Sequence, residues 1–262
     1  MTYESIRFAV ADGVARVTLA QPDRGNPFDV RFCTEFARIA DRCATDPAVR
    51  CVLVEADGPY FSVGLDLKSI GTELDAMPEW ANNANGQMNL ALGRLARANA
   101  PVVVAVHAMC VGGGVALAAA ADFCIAATSA RFYAAYCGVG LSCDVGGTVY
   151  LPRRLGVRTA AEFLMRNQIW SAAEACERGL ITQVVAEDEL SSTAYDLALE
   201  LAQGPTVAFG EIKNLLLDVY TQPIETQLEQ EARAMARVLR TEDARNAIVE
   251  VAARRKAVFH GH

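Results

Sequence analysis

Asp144 is a single acid in the glycine-bearing stretch Gly138–Gly147, and two further glycine turns precede it, Phe61–Leu67 and Val111–Gly114. A carboxylate among apolar neighbours such as Leu141, Cys143 and Val145 loses hydration of its charged form. Its pKa then rises from the reference ~3.9 toward the range useful for moving a proton on and off carbon. Glycine turns supply the complementary part, because N–H groups left open at a helix start stabilise negative charge developing on a carbonyl oxygen. The triplet Gly112–Gly114 divides a valine-rich run from an alanine-rich one, where glycine allows unusual torsions and close approach of a ligand. Its plain alternative is tight backbone packing. The Phe61–Leu67 turn offers a backbone donor at Val63, its plain alternative being an ordinary turn capped by Asp66. For Asp144 the alternative is a helix N-cap facing Gly146 and Gly147.

Strands and helices must hold these turns together. The chain opens as a hairpin, about Ile6–Val10 and Val14–Ala20, around Asp12-Gly13. A helix near Asp29–Ala44 follows, with Asp29 able to cap it, then a buried strand at Cys51–Glu55. A short helix is expected from about Leu65, and residues 71–86, rich in Gly, Asn, Pro and small side chains, read as a mobile surface segment. A helix at Gln87–Ala98 leads into a strand at Val102–Val106. Ala100–Ala121 is apolar except for His107 and long enough to imitate a membrane span. Pro101, the glycine triplet, and the change from β-branched residues to alanine mark it instead as strand, turn and helix. A short strand is expected at Phe123–Ala126. Beyond Thr159 helices dominate, with a capping box at Ser171–Glu174, a stop at Gly179, a strand at Thr182–Val185 and a helix at Leu190–Gln203. Amphipathic helices at Glu225–Arg240 and Glu242–Lys256 end the chain and must pack on the core or on a neighbouring subunit.

The 262 residues suffice for one large core, and a formal charge of −7 without basic runs argues against a nucleic-acid partner. Eight cysteines occur singly, with no Cys-x-x-Cys pair, and read as buried thiols of a reducing cytoplasm. Three histidines and no Cys/His cluster leave no metal site expected.

In this order and spacing, Pro22–Asn26, Phe61–Leu67, Pro101–Gly114, Ala121-Asp122, Gly138–Gly147 and Leu151–Arg153 resemble the crotonase superfamily, the enoyl-CoA hydratase/isomerase enzymes, over nearly the whole chain. The resemblance implies an α/β fold, a spiral of ββα units over about residues 1–200, with a helical trimerisation region at 201–262. It implies a homotrimer, or a hexamer as a dimer of trimers, without permanently bound cofactor or membrane contact. Its substrate would be an acyl-CoA thioester, coenzyme A entering as part of that substrate. The thioester oxygen would sit between the N–H groups of Val63 and Gly113. Arg24, Phe61, Leu65 and Asp66 would lie along the adenosine and pantetheine parts, with Arg24 facing phosphate or else only solvent, and Ala116 and Leu141 beside the acyl group.

Two positions depart from the family's hydratases. Their glutamates fall at Ala116 and Tyr136 here, and neither side chain does a carboxylate's work at neutral pH. The loop carrying Asp144, eight residues after Tyr136, looks most like that of the dienoyl-CoA isomerases. The implied reaction is a double-bond shift with Asp144 as acid and base. The alternatives are hydration by water activated at Asp144, and a non-catalytic acyl-CoA binder in which Tyr136 is a pocket wall or bonds substrate. Aryl-CoA dehalogenases also carry an aspartate here, but need a histidine that Gln87–Arg97 lacks. His107 is expected to hydrogen-bond backbone beneath the triplet, and Ala108 replaces a usual glycine.

Overall fold

The computed structural model describes residues 3–67 and 74–262. β1 (Ile6–Ala11) and β2 (Val14–Leu19) form the expected hairpin, turning through Asp12 (φ 53°) and Gly13 (φ 79°) as a type I′ turn requires. β3 (Cys51–Ala56) is followed by β4 (Tyr60–Ser62), β5 (Val102–Val106) by β6 (Met109–Val111), and β7 (Phe123–Ala127) by β8 (Arg131–Tyr133). β9 (Ile169–Ser171) and β10 (Gln183–Val185) complete two sheets. The larger has the order β1-β2-β3-β5-β7-β10 and is parallel after the hairpin; the smaller has the order β4-β6-β8-β9. Each of those three strand pairs thus gives one strand to each sheet. Helices Met77–Arg97, Gly113–Ala120 and Gly147–Leu155 follow them in turn.

The valine-rich strands are buried on both faces, so they read as continuous apolar runs. Val102, Val104 and Val106 face the main core with Val52, Val54 and Phe32, while Val103 and Ala105 face a second cluster with Leu53 and Ile125. Helix Leu190–Ala202 closes that second face with Leu190, Ala194, Ala198 and Ala202, one residue per turn. Asp29 caps helix Val30–Thr45 by accepting the Phe32 N–H at 2.8 Å, and the Ser171–Glu174 capping box is complete. The span-like stretch resolves into β5, β6 and helix Gly113–Ala120; β6 is a strand that the composition gave no separate sign of. Among the described residues no helix is long and apolar enough to cross a membrane.

Two expectations need correcting. Residues 71–86 are not a loop in their described part: Leu74–Ala76 is a 3-10 turn, and the next helix starts at Met77 rather than Gln87. Asn82, Asn83, Asn85 and Gly86 are poor helix formers. Yet Ala84 and Met88, one turn apart, are buried, and Trp80 packs against the same core, which outweighs propensity. The short helix expected from about Leu65 lies mostly outside the described residues. The eight cysteines are free, but Cys137 is exposed and Cys143 and Cys176 half-buried, because these three lie on loops or a short helix near the surface.

The C-terminal helices lie on the outside. Thr206–Asp218 packs on Met77–Arg97, and Ile224–Val238 packs on it in turn. After helix Glu242–Ala252 the chain folds back. The carboxylate of Asp243, 4% exposed, accepts the N–H groups of His260 (2.6 Å) and Gly261 (2.7 Å), and the Asp243 N–H donates to His262 O at 2.9 Å. Arg50, just before β3, donates to Phe259 O at 3.1 Å and Gly204 O at 2.6 Å.

Candidate active site

The glycine turns and Asp144 converge on one cavity of about 250 Å³. Its walls come from the strand-to-helix turns. Val63 and Leu65 follow β4, Gly112 and Gly113 follow β6, and Tyr136, Leu141 and Asp144 follow β8. Trp80, Asn85 and Met88 close it from helix Met77–Arg97, and Phe28 and Cys33 from the start of helix Val30–Thr45. Among the described residues Asp144 is the one carboxylate on this wall.

Asp144 is half-buried, directly before helix Gly147–Leu155, and its backbone oxygen accepts the Gly147 N–H at 2.8 Å. The N-cap of that helix is Gly146, and among the described residues no N–H of its first turn bonds the Asp144 side chain. Instead Tyr136 Oη donates to Asp144 Oδ1 at 3.0 Å. Loss of hydration raises the Asp144 pKa above the ordinary aspartate value, and the bonds from Tyr136 and from its own backbone partly oppose that rise. Burial, then the charge of Asp144, pushes the Tyr136 phenol well above its usual range, so Tyr136 is a neutral donor. Burial pushes the neighbouring Cys143 thiol up to about 11. The segment between β8 and helix Gly147–Leu155 is held in uncommon torsions on either side of the pair: Ala135 has φ 62° and the β-branched Val145 φ 50°.

Gly113 opens helix Gly113–Ala120, and its N–H has no acceptor among the described residues, whereas the Val115 N–H already donates to Gly112 O at 2.9 Å. Gly112 makes this start possible with φ 52°. The facing turn comes close: a Cβ on Gly64 (φ 72°) would lie 2.8 Å from Val111 O and 3.6 Å from Gly113 N. Within that turn the expected donor is corrected. Val63 N–H is occupied, donating to Gly25 O at 2.9 Å, and Gly64 N–H donates to Ser62 Oγ at 3.0 Å. Leu65, which also lines the cavity, carries the N–H without an acceptor among the described residues.

Of the residues expected along the substrate, Val63, Leu65 and Leu141 lie on the cavity wall with Gly113, Tyr136 and Asp144. Phe61 and Ala116 do not. Both are buried in the core, at 0% and 1% exposure, with Ala116 turned toward Gly147. Arg24 and Asp66 also stay off the wall. They pair with each other, and Arg24 bonds Asp29 as well at 2.7 Å, so its guanidinium is half-exposed but already held by two carboxylates. His107 Nε2 does bond backbone, though at Gly58 O (2.8 Å), in the loop before β4 rather than under the triplet. Ala108 is absent from the left-handed residues, so replacing a glycine there costs no strain. Sequence reasoning missed Trp80, Met88, Phe28 and Cys33; the signal for the first two was the four-residue spacing Trp80-Ala84-Met88, hidden under asparagines.

Two sheets wound from ββα units, with helix starts aimed at one cavity, define the crotonase class of α/β proteins. The chain belongs to the enoyl-CoA hydratase/isomerase family, whose model matches residues 9–262. It is 34% identical over 260 residues to 1,2-epoxyphenylacetyl-CoA isomerase of Escherichia coli, covering 98% of this chain and 99% of that one. It is 31% identical to trans-2-decenoyl-[acyl-carrier-protein] isomerase of Streptococcus mutans over 82% of each. A crystal structure from Mycobacterium abscessus, named for the same family, matches with TM-score 0.92 at 35% identity, covering 98% of this chain and 100% of that one. The protein is thus an acyl-CoA enzyme, an enoyl-CoA isomerase or hydratase.

Proposed function

We propose that this enzyme shifts a double bond in an enoyl-CoA through a thioester enolate, with Asp144 as the one acid and base. The observation that carries the reading is that, among the described residues, Asp144 is the one carboxylate on the cavity wall, set against the N–H groups of Leu65 and Gly113, which have no acceptor there. Asp144 takes a proton from C4 of a 2,3-enoyl thioester; the electron pair moves through the double bond onto the thioester oxygen, and the same carboxylate returns the proton at C2. Leu65 and Gly113 N–H hold the negative oxygen, each donor contributing about 3–4 kcal/mol to that charged state. Hydration would need one group to activate water and another to protonate carbon, and the family's two glutamate positions are Ala116 and Tyr136. That two relatives at 34% and 31% identity are named isomerases supports the same side. The likeness of the Asp144 loop to dienoyl-CoA isomerases belongs to this proposal, as does assembly as a homotrimer or a hexamer.

The test is exchange of the C2 protons of a bound enoyl-CoA in deuterated water. Asp144→Asn should lose about 10²–10⁴-fold in exchange rate. Equal rates in wild type and variant would sink the isomerase reading and favour a binder.

A further inference from the structure

We infer that Tyr136 is a positioning residue that fixes Asp144 through one oxygen, leaving the other, Oδ2, to carry the proton. This rests on the proposed role of Asp144 and names the device that lets one carboxylate serve two carbons. The hydroxyl of Tyr136 holds Oδ1 at 3.0 Å. The ring of Tyr136 is 8% exposed and spans from the base to the oxyanion turn: a Cβ on Gly112 would lie 3.8 Å from Tyr136 Cζ. The backbone beneath is fixed too, since Tyr136 O accepts the N–H groups of Val139 (3.2 Å) and Leu141 (3.0 Å). The ring therefore acts as a spacer between the site of negative charge and the base. The bond from Tyr136, together with the one from the Asp144 backbone, orients the carboxylate, and we take Oδ2 as the oxygen turned to a three-carbon unit. A freely rotating carboxylate would spend most of its time misaligned, and small misplacements are costly in rate.

The surroundings isolate this pair electrically. Cys143 on the same loop and Cys33 from helix Val30–Thr45 are held neutral, pushed up to about 11 and about 12 by burial. Tyr133 of β8 lines the cavity with its hydroxyl accepting Asn167 Nδ2 at 2.8 Å. Helix Met77–Arg97 presents Trp80, Asn85 and Met88, and among the described residues the Leu65 turn lines the cavity with Val63, Leu65 and Leu67, Asp66 lying off the wall beside Arg24. Among the described residues of the cavity the acid limb of the pH profile should therefore follow Asp144, and the Tyr136 hydroxyl, which bonds the ionised form, should hold that limb down.

Tyr136→Phe keeps the spacer and removes the hydroxyl. Its kcat should fall about 10–100-fold, the usual effect of losing a hydrogen bond to a charged group, with KM unchanged. The acid limb of kcat/KM should move to higher pH. A second protein with 3-fluorotyrosine at position 136 keeps shape and packing but donates more strongly, so its acid limb should move to lower pH. Unmoved limbs in both overturn the inference. So does a Tyr136→Phe enzyme as inactive as Asp144→Asn, which would make the phenol itself a proton carrier. An Asp144→Asn enzyme with wild-type exchange would instead remove the proposed function, whatever Tyr136 does.

Discussion

Burial of Asp144 sets activity against stability. Its folded-state pKa is raised, so what it contributes to stability is fully present below the unfolded-state pKa and is lost as pH rises through the folded value. At neutral pH the ionised carboxylate is a cost, and Asp144→Asn should melt above wild type, as expected where active sites are strained for function. The gap should close as the pH falls through the carboxylate range; a variant that melts lower at neutral pH contradicts this account. Gly113 makes a second demand on one atom. A Cβ there would lie 2.9 Å from Phe28 Cδ2 and 3.2 Å from Val145 Cγ2. Gly113→Ala must move the aromatic wall or the Asp144 loop, and kcat should fall by about 10²-fold, as for loss of an oxyanion donor. Wild-type turnover in that variant would show that neither moves.

Helix Met77–Arg97 and the short strands mark where the sequence was legible and where it was not. β5 announced itself through five consecutive small and branched apolar residues between Pro101 and His107. The Ser171–Glu174 box announced its helix through capping chemistry. Ser171→Ala should cost about 1 kcal/mol in urea unfolding. The first turns of Met77–Arg97 were masked because asparagine and glycine signal loops locally, while the burial of Ala84 and Met88 is decided by contacts far along the chain. Val63 reads as an open donor for a similar reason: which N–H in a turn is already taken depends on Gly25, far away in sequence. Met88→Ala tests the helix's double role as core and wall. Met88 is fully buried, so about 2–5 kcal/mol of stability should be lost, and the cavity should accept a longer acyl chain with lower KM. Loss of stability without a change in chain-length preference would separate the two roles.

At the scale of the whole molecule, apolar side chains are left outside on the C-terminal helices. Leu216, Tyr220, Ile224, Leu228 and Met235 are each at least half exposed. Isolated exposed apolar residues are ordinary, but a row of them on adjoining helices marks a surface meant to be covered. In the proposed oligomer a second copy covers it. The double variant Ile224→Asp, Leu228→Asp should sediment at a lower mass than wild type while keeping its helical signal; unchanged mass would place the subunit contact elsewhere.

The folded-back last residues have a practical corollary. Asp243 is nearly inaccessible, and its carboxylate accepts the backbone N–H groups of His260 and Gly261. Anything that pulls Phe259–Gly261 away leaves the nearly buried Asp243 carboxylate without its two backbone donors and frees Arg50 from Phe259. Asp243 and Arg50 thus act as two hooks, one carboxylate and one guanidinium, that hold Phe259–Gly261 against the body of the molecule.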